Sequence, residues 1–282
     1  MFFGGSPEAY IHSDIQVFSR AACYFFYLCG SIAMQINPES YKFTTADRLR
    51  IERLKYQIES DPKLETLEEF MTRLFPDFDL AGLLELVDQV MAPTTTLPID
   101  RVVEYDSLNQ TLHFEFWNSA TVELEMVGFE RTFFWDNGDL FVEHQYCLLP
   151  GTFQGKGLIK PIFQLSLQQY VSMGVRKIVV HAGLGGGGYA WAQHGFVAID
   201  KDEVEIILQD ARNRLSVKEI RPVELIFVKY FQDHPQGTEF PMIAWSGQPG
   251  MRDILRGSDW HGELDLHNPE QFRNFSNYVF RS

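Results

Sequence analysis

Residues 139–196 read DLFVEHQYCLLPGTFQGKGLIKPIFQLSLQQYVSMGVRKIVVHAGLGGGGYAWAQHGF, and this stretch decides the fold. Apolar and aromatic residues fill most positions from Leu140 to Leu149, as in a strand covered on both faces. Gln154-Gly155-Lys156-Gly157 then opens a helix in which Leu158, Ile162, Leu165 and Tyr170 share a stripe at helical spacing. Gly174 ends that helix, and Lys177 to His181 form the next buried strand. The glycine-rich turn 183–188 leads into a short helix that closes on Gly195-Phe196. A strand that feeds a glycine turn into a helix start leaves backbone N–H groups free at the positive end of a helix dipole. Together these bind a phosphate or pyrophosphate.

Upstream of this unit the apolar pattern alternates. Arg101 to Tyr105, Thr111 to Trp117, Thr121 to Val127 and Arg131 to Trp135 read as strands, and Asp136-Asn137-Gly138 is a tight-hairpin signal before Leu140. The Ala92–Pro98 stretch reads as a linker, which divides the chain into a helical segment 1–97 and a domain 98–282. In the first, Ile15 to Met34 predicts an aromatic-rich helix. Thr44-Thr45-Ala46-Asp47 starts a second helix, with Leu49, Leu54 and Ile58 as its stripe up to Asp61-Pro62. Leu64 to Leu74 and Leu80 to Met91 follow as shorter helices. Downstream, Asp202 to Leu215 predicts a helix, Val223 to Tyr230 a strand paired with Met242 to Ser246, Met251 to Arg256 a short helix, and Asn268-Pro269 the start of a final helix. The fold class is therefore α/β, of the mixed-sheet α+β kind. An antiparallel meander leads into a strand–helix–strand unit, which separates it from a doubly wound parallel sheet.

The formal net charge of −14 argues against a polyanionic partner such as nucleic acid and suits a basic peptide or an amine. Cys23, Cys29 and Cys147 form no CxxC pair and no even-numbered framework, so a reducing cytoplasm is expected. The start of the chain lacks the pattern of a signal peptide, and the apolar run Ala21 to Met34 is short for a bilayer span. No metal is expected: His261 and His267 are separated by acidic residues, and Glu143-His144 lacks zinc-ligand spacing. A G-x-S-x-G elbow is absent. Gly183 to Gly188 satisfies G-x-G-x-x-G, with Asp200 and Asp202 downstream, but the helix behind it is too short for a dinucleotide fold. Those glycines are read as a tight bend or a mobile lid.

Gln154-Gly155-Lys156-Gly157-Leu158 resembles the acyl-CoA pyrophosphate loop of the GNAT superfamily of N-acetyltransferases, whose pattern is Gln/Arg-x-x-Gly-x-Gly/Ala. The helix, turn, strand and Gly195-Phe196 that follow stand in that superfamily's order. Residues 187–196, GGYAWAQHGF, and the WHGELDL of 260–266 are similar to a divergent GNAT-like branch of bacterial toxin modules and peptide-modifying acyltransferases. The resemblance covers residues 98–250 and is specific only within 139–196. It implies that the strand before the loop splays from its neighbour and that a thioester carrier, acyl-CoA or an acyl carrier protein, lies in the gap. The amides of Gln154, Gly155, Lys156, Gly157, Leu158 and Ile159 would hold its phosphates, and backbone N–H groups at Cys147, Leu148 and Leu149 would polarise the carbonyl. Trp191 would pack on the pantetheine arm. Glu143 is the expected base toward a primary amine, a Lys or ornithine side chain of a peptide among the candidates, and Tyr189 and His194 are the expected acids. Two residues depart from the pattern. Ile159 stands where Gly or Ala is usual, and Trp191 stands where the superfamily often carries the Tyr that protonates the leaving thiolate. With the aromatic N-terminal segment, the first departure suggests an acyl chain longer than acetyl. Both also suit the competing expectation, a GNAT-fold module that binds a peptide or protein without catalysis.

Overall fold

The computed structural model describes residues 41–60, 64–183 and 186–280. The expected helix Ile15–Met34, with Cys23 and Cys29, lies outside them. The chain divides after Ser40, and Tyr41–Ser282 forms one compact unit. Helix α1 (Thr45–Arg53) starts where the sequence placed it, because Thr44 donates both its backbone N–H and its hydroxyl to Asp47, at 2.9 and 2.7 Å. It ends sooner than the Leu49/Leu54/Ile58 stripe predicted. Lys55 takes a left-handed φ of 68°, and Ile58 belongs instead to strand β1 (Gln57–Ser60). Helices α2 (Leu67–Leu74) and α3 (Leu80–Met91) follow.

Strands β2 (Ile99–Asp106), β3 (Thr111–Asn118), β4 (Gly128–Asp136) and β5 (Asp139–Leu148) form the expected antiparallel meander. Residues 121–127 are not the predicted strand: only one turn of 3-10 helix, Glu123–Glu125, occurs there. The Asn118 side chain supplies the reason. Its Nδ2 donates to the Glu125 carbonyl at 2.8 Å and its Oδ1 accepts from Val127 N at 2.9 Å, which closes the excursion before a second ladder forms. Helix α4 (Lys160–Met173) then crosses to β6 (Val175–His181), which lies parallel to β5.

The rest of the chain departs more from its sequence reading. After α5 (Gly187–Gln193) come β7 (Val197–Ala198), α6 (Lys201–Arg214) and α7 (Val217–Asp233). Helix α7 replaces the strand predicted over Val223–Tyr230. The β-type aromatic and branched residues there are outweighed by a capping box, in which Ser216 donates its N–H and hydroxyl to Glu219 at 3.0 and 2.6 Å. Met242–Ser246 is likewise not a strand but encloses helix α8 (Ile243–Ser246), preceded by the two-residue strand β8 (Phe240–Pro241), which pairs with β7. Helix α9 (Met251–Arg256), strand β9 (His261–Asp265) and helix α10 (Pro269–Phe280) complete the unit.

The nine strands among the described residues form a single mixed sheet in the order β1-β2-β3-β4-β5-β6-β9-β7-β8, parallel only at β1–β2 and β5–β6. One face is dry. Phe133 on β4 packs against Phe75 and Phe78 ahead of α3, Phe114 on β3 and Tyr170 on α4, with ring centroids 4.9–6.1 Å apart. Trp135 Nε1 donates to the Leu74 carbonyl at 3.1 Å, and Arg101 on β2 pairs with Asp88 on α3 at 2.5 Å. Residues 92–98 therefore join helix to sheet inside one hydrophobic core. The opposite face is half-buried and carries His113, Glu115, Trp117, Glu130, Thr132 and Glu143.

Candidate active site

Strand β5 pairs with β6 only from Leu140 to His144, whose partner is Val180. Gln145 to Leu148 continue beside β4 alone, so the two parallel strands part after His144. A bulge coincides with the parting. Glu130 faces Tyr146 and the next residue, Arg131, faces His144, which leaves Gln145 without an opposite number on β4. The extra residue reverses which face each later side chain occupies. Tyr146 therefore packs edge-on against Trp117 of the half-buried face at 4.9 Å, while Cys147 sits on the Arg131 side.

The turn 149–159 lies at the end of this gap. Gly155 and Gly157 have φ near 70°, which a side-chain-bearing residue rarely adopts, and both are exposed, as is Lys156. Helix α4 begins with no side-chain cap hydrogen bond at Ile159 and with a proline in its first turn, and the Lys160 side chain lies against Gly157. Gln154 donates Nε2 to the Leu149 carbonyl at 2.9 Å and ties the turn to the end of β5. Leu158 and Ile159 are half-buried and pack toward the core. The phosphate-binding residues predicted from sequence thus form one open turn, directly beyond Cys147, Leu148 and Leu149.

On the half-buried face, Glu143 stands opposite Thr132 of β4 and Val179 of β6, one residue before the strands part. Its neighbour His144 is on the other face, as strand alternation requires. Near Glu143 the structure gathers a group that the sequence reading missed. The donor atoms of His113, Glu115 and Glu130 lie within 4.8 Å of one another, with His113 Nε2 3.8 Å from Glu115 and 4.0 Å from Glu130. Gln145 donates to Thr132 Oγ1 at 2.7 Å, and the same hydroxyl meets His113 Nδ1 at 2.9 Å, which turns Nε2 toward the carboxylates. Burial holds the Glu130 carboxyl above the usual carboxylate range, and the charges of Glu115 and Glu143 add to that effect. The signal was the register of β3 on β4: Glu115 is opposite Glu130 and His113 opposite Thr132.

The covered face beneath the gap is polar in an unexpected way. Arg131 is 1% exposed. Its Nη1 donates to the Glu130 and Tyr146 carbonyls at 2.6 and 2.7 Å, bracing the bulge, and its guanidinium lies 4.1 Å over the Phe129 ring. Next to it His144 Nε2 meets the Tyr170 hydroxyl at 2.9 Å. Burial, and then the charge of Arg131, hold His144 well below the ordinary imidazole value. Burial pushes the Cys147 thiol up against the pull of the same guanidinium. Tyr278, on the last turn of α10, stands near Cys147, and burial first and that thiol second raise its phenol.

Tyr189 and His194, the expected acids, and Trp191, expected against the pantetheine arm, occupy different surroundings. Tyr189 accepts from Gln193 Nε2 at 2.7 Å and lies under Arg252, on the α9 side of α5. Trp191 packs against His144, Phe163, His194 and Phe196, with centroids 4.9–6.2 Å apart, so it lines the space between α4 and α5. His194 is stacked on Tyr278 at 3.4 Å, and burial lowers it to about 3. It is therefore a neutral packed ring and not a proton carrier near neutral pH. Gly188 serves packing: a Cβ there would strike the Leu255 carbonyl and Ser258 of the neighbouring α9 turn.

Two neutral buried histidines make stability fall with acid. The unfolded chain takes up protons near the ordinary value of 6.5 while folded His194 does not until about 3, so stability is complete above the upper limit and declines below it. Each such histidine contributes a slope of about 1.4 kcal/mol per pH unit in that window. Urea midpoints taken at about pH 7 and about pH 5 are expected to drop for the wild type and to drop less for His194→Phe; equal drops would show that the imidazole is already protonated when folded.

Compared with family models, with curated proteins and with solved structures, the chain matches none.

Proposed function

We propose that this chain is an N-acyltransferase of GNAT-like arrangement, which moves an acyl group from a CoA or acyl-carrier-protein thioester to a primary amine. The observation that carries the reading is the parting of β5 from β6 at His144, beside an open glycine turn and an uncapped helix start. Backbone amides of residues 154–158 would hold the donor's phosphates, and those of Cys147 to Leu149 would accept charge developing on the carbonyl oxygen. Glu115, Glu130 and Glu143 attract an ammonium to the opposite face, in keeping with a net charge of −14 and a Lys or ornithine side chain of a basic peptide as acceptor. Glu143, adjacent to the gap, takes the proton that the attacking amine must lose. No helix among the described residues is long and apolar enough to cross a membrane.

The non-catalytic peptide-binding module has one observation in its favour: neither Tyr189, Trp191 nor His194 stands as a proton donor at the gap. Calorimetric titration with CoA and with acyl-CoAs of increasing chain length separates the two readings. Binding is expected, and Gly157→Val is expected to weaken it about tenfold or more, because valine resists the left-handed φ that aims the loop amides. Absence of binding to every thioester would leave only the module.

A further inference from the structure

Arg131 keeps a full positive charge in a place where charge is costly and unmatched. A guanidinium does not lose its proton in a protein, and a buried one is normally paired with an acid. Arg131 is 1% exposed and forms no ion pair among the described residues; its Nε and Nη2 make no hydrogen bond of good geometry, and the guanidinium meets only the Cys147 thiol and the Tyr170 hydroxyl besides its two carbonyls. His144 on β5, which faces the guanidinium, also has an unpartnered Nδ1. Titratable groups face the guanidinium from each packed element: His144 and Cys147 from β5, Tyr170 from α4, and Tyr278 from α10 beyond Cys147. All are neutral, and none is a carboxylate. Buried cations are normally matched by an acid, and a guanidinium set among neutral groups alone indicates a missing anion.

The position of the cation indicates which anion. Its Nη1 holds the Tyr146 carbonyl, and its charge reaches Cys147, the residues at which β5 has already left β6. A thioester donor laid in that gap brings its sulfur there. We infer that Arg131 is the counter-ion for the leaving thiolate, receiving it through Nε–H and Nη2–H; this rests on the acyltransferase reading above. As the amine nitrogen bonds to the acyl carbon, the carbon–sulfur bond breaks, its electron pair stays on sulfur, and the negative sulfur comes to rest against the guanidinium. The proton lost by nitrogen goes to Glu143, and the thiolate departs without needing a phenol at the position of Trp191.

The test compares CoA with desulfo-CoA, which keeps every phosphate and lacks the sulfur. Difference ultraviolet absorbance is expected to show CoA bound as thiolate near neutral pH, and CoA is expected to bind about tenfold or more tightly than desulfo-CoA. In Arg131→Lys the thiolate signal is reduced, and in Arg131→Met it is lost, while desulfo-CoA affinity is preserved. Circular dichroism checks that each variant folds, and the wild-type comparison stands without them. CoA bound as the neutral thiol, or with the same affinity as desulfo-CoA from about pH 7 to about pH 9, would overturn the assignment and leave the donor site intact. If neither ligand binds, the donor reading itself falls, and this inference with it.

Discussion

Glu143→Gln is expected to slow acyl transfer by about 10²–10⁴-fold, the usual worth of a positioned base, and to change donor affinity by less than about twofold. The substitution keeps size and shape and removes only the proton-accepting oxygen. Glu143 lies on the face of the sheet opposite Arg131, one residue short of the gap, so its loss leaves the turn 154–159 and the amides of Cys147 to Leu149, the proposed donor site, untouched. Steady-state rates with a saturating acyl-CoA and a lysine-bearing peptide, together with calorimetry of the same donor, separate the two effects. A variant as fast as wild type near neutral pH would remove Glu143 as base and turn attention to Glu130, whose carboxyl burial holds above the usual carboxylate range. If both Glu143→Gln and Glu130→Gln were silent, the acidic face would be a binding surface only.

The largest effect on stability is expected from Phe133→Ala, a loss of about 3–5 kcal/mol. This ring is fully buried and is shared by four neighbours from three parts of the chain: Phe75 and Phe78 ahead of α3, Phe114 on β3 and Tyr170 on α4. The hole cannot be refilled without moving helices and sheet together. Urea unfolding followed by circular dichroism and by tryptophan fluorescence should therefore shift in parallel and stay one transition. Two separated transitions would mean that the helices before residue 92 and the sheet are independent domains, as the Ala92–Pro98 linker suggested.

The central unit was readable because each of its signals is local. Asn137-Gly138 marks the β4–β5 turn, Gly174 in the left-handed region ends α4, and the alternation from Thr111 to Phe116 matches its burial residue by residue. The errors lie where a long-range or capping interaction outweighs composition. Val223 to Tyr230 is rich in strand-forming residues, yet the Ser216–Glu219 capping box and the stripe that buries Val223 make it a helix. Ile58 fits a helical stripe equally well, but its pairing with Val103 on β2 is invisible without the fold. The site divides in the same way. The turn 154–159 and Glu143 could be named as candidates because they lie within one contiguous stretch of strand, turn and helix. The group of His113, Glu115 and Glu130 depends on the register of β3 against β4, and the environment of Arg131 depends on a bulge that no spacing rule announces.

The sheet's final strand, Phe240–Pro241, has a consequence for behaviour at high concentration. It is two residues long, and Pro241 has no amide hydrogen to offer an incoming chain. A second molecule seeking to extend the ladder at this margin would find almost nothing to zip onto. Fibril growth by edge-to-edge stacking is thus discouraged on that side by backbone chemistry alone, whatever the charge of the surrounding surface.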